Sequence, residues 1–188
     1  LVQEFYNDRR RQLVSGEVQP NAAHIALARL EKEWRGEFLL VTQNIDNLHS
    51  EAGSKRMIHM HGELMKARNL ETHDVFDWGG DITENSKCPK SGKLNVLRPH
   101  VVWFGEMPLD MDLIYSSLSD CDIFISIGTS GNVYPASGFV EEASLAGART
   151  IEINLEPSIG ASSFEEKIYG KATEVLPKFV AELLLKQS

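Results

Sequence analysis

The chain has 188 residues, 42% of them hydrophobic and 24% charged, which suits one ordinary core-forming domain and excludes a disordered or collagen-like protein. Lys and Arg number 19 against 27 Asp and Glu, a net charge of -8 that disfavours non-specific contact with nucleic acid or an anionic membrane. No apolar run approaches the ~20 residues of a membrane span, no signal-peptide pattern opens the chain, and only Cys88 and Cys121 are present, so a reducing cytoplasm is expected.

Leu1 to Tyr6 reads as the middle of a helix with no Met or capping residue before it, and that helix runs to about Leu13 before Ser15-Gly16. Asn21 predicts the cap of a second helix, with Leu27, Leu30 and Trp34 at helical spacing and a stop at Gly36. Phe38 to Thr42 predicts a strand covered on both faces, ending abruptly in Gln43-Asn44-Ile45-Asp46-Asn47. Ile58 to Glu63 alternates, which predicts a strand with His59 and His61 on one face. Residues 69–97 hold Gly79-Gly80, Pro89 and Gly92 with little apolar periodicity, and predict a small inserted module into which Val75, Phe76 and Trp78 pack.

Asp122 to Ile127, a helix over Pro135 to Leu145 stopped by Gly147, and Arg149 to Ile153 predict a β-α-β unit and hence a parallel sheet. Pro177 is expected to open a last helix, with Phe179, Val180, Leu183 and Leu184 turned inward. The fold class is therefore α/β, a Rossmann-like parallel sheet with helices on both faces and a small inserted domain. The expected division is a nucleotide-binding catalytic domain over 1–68 and 98–188, and the inserted module over 69–97.

In such sheets ligands bind beyond the carboxyl ends of the strands. Gly128-Thr129-Ser130-Gly131 is either a phosphate-binding turn or merely a tight one. Asn154-Leu155-Glu156-Pro157 either reads ribose hydroxyls or simply turns the chain. The carboxamide and carboxylate cluster from Gln43 to Asn47 is either exposed turn chemistry or, because it follows a buried strand directly, a ligand contact. His61 is a candidate general base, the alternatives being a half-buried structural histidine or half of a metal pair. Tyr6 and Arg9, three apart on one helix face, either clamp a carboxylate or belong with Arg10 and Arg11 to a solvated basic face. His24, His49, His73 and His100 have no supporting pattern and read as structural or surface residues.

Thr42 to His49, His61-Gly62-Glu63-Leu64, Arg98 to Glu106, Gly128-Thr129-Ser130 and Asn154 to Pro157 occur in the order and spacing of the sirtuins. From Phe5 onward the chain resembles a bacterial class III sirtuin. The resemblance implies an NAD-dependent protein-lysine deacylase acting on acylated-lysine proteins. In that family the acyl oxygen attacks the anomeric carbon, nicotinamide leaves, and free lysine and O-acyl-ADP-ribose are the products. It assigns His61 as the base acting on the ribose hydroxyls. It places Gln43, Asn44, Ile45 and Asp46 at the nicotinamide and its ribose, and Gly128, Thr129 and Ser130 at the pyrophosphate and ribose. Asn154, Leu155 and Glu156 fall at the adenosine ribose and Ala172 at adenine. Val102, Trp103, Phe104, Gly105 and Glu106 frame the acyl-lysine tunnel.

The same resemblance gives Tyr6 and Arg9 the binding of acidic acyl groups, so succinyl or malonyl lysine is expected as substrate beside acetyl lysine. The family's first strand and glycine-rich cofactor loop fall upstream of Leu1, and residues supplying them are expected there. A catalytically silent acyl-peptide or nucleotide-binding protein is the alternative if that segment is truly missing. The family's four zinc-binding thiolates correspond to Asn69, Thr72, Cys88 and Ser91. Only Cys88 is a thiol, so the module is expected to fold without zinc.

Overall fold

The computed structural model describes residues 2–186, and the expectation for Leu1 lies outside them. Helices α1 (Val2–Ser15) and α2 (Ala22–Glu33) open the chain, followed by strand β1 (Leu40–Thr42), the short helix α3 (Leu48–Glu51) and strands β2 (Met57–His59), β3 (Gly62–Asn69), β4 (Val75–Asp77) and β5 (Leu97–Val101). Helix α4 (Met111–Asp120), strand β6 (Ile123–Ile127), helix α5 (Phe139–Leu145), strands β7 (Arg149–Asn154) and β8 (Glu166–Tyr169) and helix α6 (Ala172–Lys186) complete it. The chain forms two compact units, Leu1–Pro20 with Leu40–Leu109, and Asn21–Leu39 with Asp110–Ser188.

In the first unit β1 and β2 pair in parallel, with Val41 opposite Ile58. Strands β4, β3 and β5 form a separate antiparallel sheet with β3 in the middle. The 69–97 segment is folded onto a cluster of Ala67, Ile82, Cys88, Val96 and Leu97, against which Phe76 and Trp78 pack. Val75 does not join them. It is exposed, because alternation along β4 turns it away from the side Phe76 occupies.

The expected strand face shared by His59 and His61 is not formed. β2 stops at His59 and β3 starts at Gly62, leaving His61 in the intervening turn. Gly62 makes that turn possible: its φ is +82°, and a Cβ there would lie 2.1 Å from the His100 carbonyl oxygen.

The second unit contains the expected β-α-β unit. β6, β7 and β8 are all parallel, with Ile125 opposite Ile151 and Ile153 opposite Ile168. β7 is central and buries Thr150, Ile151, Glu152 and Ile153, whereas β6, at the edge, is half-buried throughout. The Asn21 cap is present: its side chain accepts from the Ala23 and His24 amides, and His24 Nδ1 accepts from the Asn21 amide in return. α2 ends at Glu33, with Trp34 already extended, rather than continuing to Gly36.

α2 packs on α6, which starts at Ala172 and not at Pro177. Pro177 lies in the second turn, where the missing N–H forfeits one bond to the Thr173 carbonyl. The buried stripe of Leu176, Phe179, Val180, Leu183 and Leu184 carries the helix through it. Among the described residues no helix is long and apolar enough to cross a membrane.

Candidate functional site

The loop after β1 is held from both sides by the first unit. Thr42 Oγ1 accepts the Asn44 amide, Asp46 Oδ1 accepts the Leu48 amide at 3.1 Å, and the Leu64 amide donates to the Ile45 carbonyl at 2.7 Å. His61 Nδ1 lies 3.0 Å from the Gln43 carbonyl oxygen. A carbonyl only accepts, so in the neutral ring the proton sits on Nδ1 and the lone pair on Nε2. The ring is half-buried, and the His61 carbonyl accepts the Val102 amide at 2.9 Å. Gln43, Ile45, Asp46, His61 and Val102 thus belong to one hydrogen-bonded corner, with Asn44 exposed at its tip. His59 instead approaches Glu63, 3.8 Å from Nε2 to the carboxylate, which separates it from His61.

Beyond Val102 the chain is shaped by Arg98, a residue the sequence did not single out alone. Its guanidinium bonds both carboxylate oxygens of Glu106, at 2.8 and 2.7 Å, and the Val101 carbonyl at 2.7 Å. It also lies 3.8 Å from the Trp103 ring centroid. The Trp103 amide donates to Glu106 at 2.9 Å. Phe104 projects fully into solvent beside Gly105.

The Arg98 hydrogen bonds, with that amide, hold the Glu106 carboxyl down to about 2. A depressed carboxyl stabilises the loop above its unfolded value and ceases to do so only as the pH falls through the folded one. The fluorescence difference between the protein and its Trp103→Phe variant is therefore expected to stay level from pH 7 to about 4. A change centred at the ordinary carboxylate value of ~4.3, with far-ultraviolet circular dichroism still native, would show that Arg98 does not hold Glu106.

Tyr6 and Arg9 share one side of α1. Tyr6 is half-buried and meets the Phe5 ring edge-on, while Arg9 is exposed, its guanidinium 4.4 Å from the Phe5 centroid. Arg10, expected beside Arg11 on a solvated face, is buried to 1% exposure with Asn7 at 2%. Arg11, in contrast, meets water, paired with Asp8, Glu4 and Asp81. Periodicity does not reveal this because long polar side chains are normally outside. The available signal is that Asn7 and Arg10 lie three apart, on the helix stripe next to Tyr6 and Arg9.

Where the four zinc-ligand positions fall, a hydrogen-bonded nest surrounds one sulfur. Asn69 is buried, donates from Nδ2 to Cys88 Sγ at 3.2 Å, and accepts the Glu71 and Thr72 amides at Oδ1. The Ser91 hydroxyl and amide, with smaller help from Asn69, hold the Cys88 thiol down to about 7. The Thr72 hydroxyl turns away to Asp74 at 2.7 Å. One thiol with an amide and two hydroxyls is a poor zinc donor set. Among the described residues no group of three or more His, Cys, Asp or Glu is gathered to hold a metal.

In the second unit the turn after β6 is fixed by the end of β7. Asn154 Nδ2 donates to the Thr129 carbonyl at 2.7 Å, and the Gly128 amide donates to the Ile153 carbonyl at 3.0 Å. That amide is thus already used, and Thr129 and Ser130 bring hydroxyls to the turn. Gly128 and Gly131 both have positive φ. Thr129, Gly131, Ser137 and Ser158 line a small crevice with Phe124 and Phe164.

The buried Glu152 was missed by the sequence reading. It accepts the Ser158 amide at 3.1 Å and the Tyr169 hydroxyl at 3.0 Å, steadying the segment that includes exposed Leu155 and Glu156. Ala172 is the first residue of α6. Carboxamide, hydroxyls, carboxylate and a glycine turn fit the ribose and phosphate groups of a dinucleotide.

The Sir2 family model matches residues 1–135. A curated NAD-dependent protein deacylase of Pasteurella multocida is 60% identical over 184 residues, which is 98% of this chain and 79% of that protein. One of Salmonella typhi is 60% identical over 184 residues, covering 98% of this chain and 67% of its own length. Among solved structures, a Sir2 homolog–NAD complex matches with a TM-score of 0.89 and 34% identity, over 100% of this chain and 73% of the other. Sir2Af2 bound to a myristoylated histone peptide matches with a TM-score of 0.77 and 35% identity, over 98% and 80%. On this match and the motifs it shares, the chain belongs to the Sir2 family, the sirtuins.

Proposed function

We propose that the protein removes acyl groups from protein lysine in an NAD-dependent reaction, releasing nicotinamide and O-acyl-ADP-ribose. The observation that carries this reading is the Nδ1–H of His61 tied to the Gln43 carbonyl, which presents Nε2 as a base. NAD, when bound, supplies the ribose carbon to which the acyl oxygen is joined as nicotinamide leaves. His61 Nε2 takes the ribose hydroxyl proton, and the Gln43 carbonyl holds the ring at the required tautomer. Gln43, Asn44, Ile45 and Asp46 line the pocket for the nicotinamide and its ribose. Gly128, Thr129 and Ser130 meet the pyrophosphate and ribose, Asn154, Leu155 and Glu156 the adenosine ribose, and Ala172 the adenine.

Val102, Trp103, Phe104, Gly105 and Glu106 receive the acyl-lysine peptide. Tyr6 and Arg9 accept acidic acyl groups such as succinyl and malonyl, since an acyl carboxylate is matched by a charged, two-pronged donor. On this reading residues 1–68 and 98–188 form the NAD-binding catalytic domain and 69–97 a module that folds without zinc around Cys88. The site of action is the cytoplasm, supported by Cys88 and Cys121 both being free. One preparation tests both claims: the protein as purified, without chelator, is expected to carry less than one zinc per chain and to release nicotinamide from NAD with an acetylated or succinylated peptide. No release with either peptide would sink the enzyme reading, and zinc at one per chain the metal-free module.

A further inference from the structure

Helix α1 is fastened by side chains the proposed chemistry does not use. Asn7 pairs with the Ile82 peptide as a neighbouring strand would: Nδ2 donates to the Ile82 carbonyl at 3.0 Å, and Oδ1 accepts the Ile82 amide at 2.9 Å. Arg10 donates from Nη1 to Asn7 Oδ1 and from Nε to the Leu64 carbonyl, both at 2.9 Å. Its remaining nitrogen, Nη2, is buried with no hydrogen-bond partner. Burying a guanidinium so incompletely satisfied is unfavourable, and a helix needing only adhesion would have used apolar residues here.

The Leu64 peptide explains the arrangement. Its carbonyl receives Arg10, and its amide holds the Ile45 carbonyl, one residue from Asp46 and two from the Gln43 carbonyl that orients His61. α1 and the His61 corner therefore hang from the same peptide. Successive helix residues are ~100° apart, so Asn7 and Arg10 form the stripe adjoining Tyr6 and Arg9. Fixing the first stripe fixes the direction of the second.

We propose that Asn7 and Arg10 are positioning residues for acyl-chain selectivity, setting where Tyr6 and Arg9 stand relative to His61. This rests on the reading of Tyr6 and Arg9 as the acyl-carboxylate clamp. A shift of about an ångström in such a clamp costs on the order of tenfold or more. The test uses Asn7→Ala and Arg10→Met, with Arg10→Lys as the conservative variant, all measured at a temperature where circular dichroism shows each folded.

KM for a succinyl-lysine peptide, and its Kd by fluorescence anisotropy, are expected to rise on the order of tenfold while kcat stays within about twofold. KM for the acetyl-lysine peptide is expected to stay within about twofold. Arg10→Lys should recover part of the loss, since an ammonium can still reach one of the two acceptors. If Asn7→Ala does not fold, Arg10→Met and Arg10→Lys carry the test alone.

Equal losses on both peptides, tracking the folded fraction, would overturn the proposal and leave Asn7 and Arg10 as structural residues. So would unchanged succinyl KM and Kd. Arg9→Met separates the two layers. If it damages succinyl binding while the Asn7 and Arg10 variants do not, only the positioning role falls; if it too leaves succinyl binding intact, the clamp falls and the positioning role with it.

Discussion

His61→Tyr is expected to reduce turnover, read as formation of O-acyl-ADP-ribose, by about 10²–10⁴-fold, the range for losing a positioned general base, or about 3–5 kcal/mol in the barrier. The phenol has no lone-pair nitrogen and, with an ordinary pKa of ~10, is a poor proton acceptor near neutrality. The loss should fall on kcat, because the side chains proposed for the cofactor remain in place. Folding should change little. His61 contributes one side-chain hydrogen bond, to a backbone carbonyl, worth about 1 kcal/mol. Single-turnover rates, the Kd for NAD and a melting curve measure the three effects separately. Near-normal turnover in the folded variant would remove His61 as the base. A lost NAD affinity with the fold intact would make it a binding residue instead.

The elements recoverable from residues alone are those governed by local rules. The Asn21 cap, the run from Asp122 to Ile127 and the stop at Gly147 each depend on near neighbours, and each is found close to where the sequence puts it. Asn21 was recognisable because a capping side chain bonds amides only two and three residues away. What the sequence hides is set by distant partners.

Arg98 and Glu106 stand in one motif, but their pairing appears only when β5 delivers the guanidinium to a carboxylate eight residues later. The antiparallel pairing of β3 with β5 closes across the whole 69–97 segment, a separation over which no period can be read. His61 reads from the sequence as a strand residue, since alternation continues through Met60, whereas the chain reverses just beyond it at Gly62. Asn7 and Arg10 are the extreme case, with a buried guanidinium and amide on a helix face that composition would assign to water. The candidate site divides in the same way. Its residues were legible as motifs, whereas the bonds that orient them, from Gln43 to His61 and from Asn154 to Thr129, required coordinates.

Arg9→Met is expected to lower kcat/KM for a succinyl-lysine peptide by about 10–100-fold, the equivalent of one charged hydrogen-bond contact at roughly 1.5–3 kcal/mol. The acetyl-lysine value should change by no more than about twofold, since acetyl offers no carboxylate to a guanidinium. Methionine keeps an unbranched stem, and Arg9 is exposed, so stability should be nearly unaffected. One existing contact works against the effect. Arg9 rests over the Phe5 ring at 4.4 Å, worth about 0.5–1 kcal/mol at an exposed position, and binding a carboxylate must compete with it. The lower end of the range is expected if Arg9 must leave the ring. Raising the salt concentration should weaken succinyl-peptide binding and spare acetyl-peptide binding, because only the former relies on an ion pair within reach of solvent. Equal losses on the two peptides would show that Arg9 supports the fold or the cofactor and never meets the acyl chain.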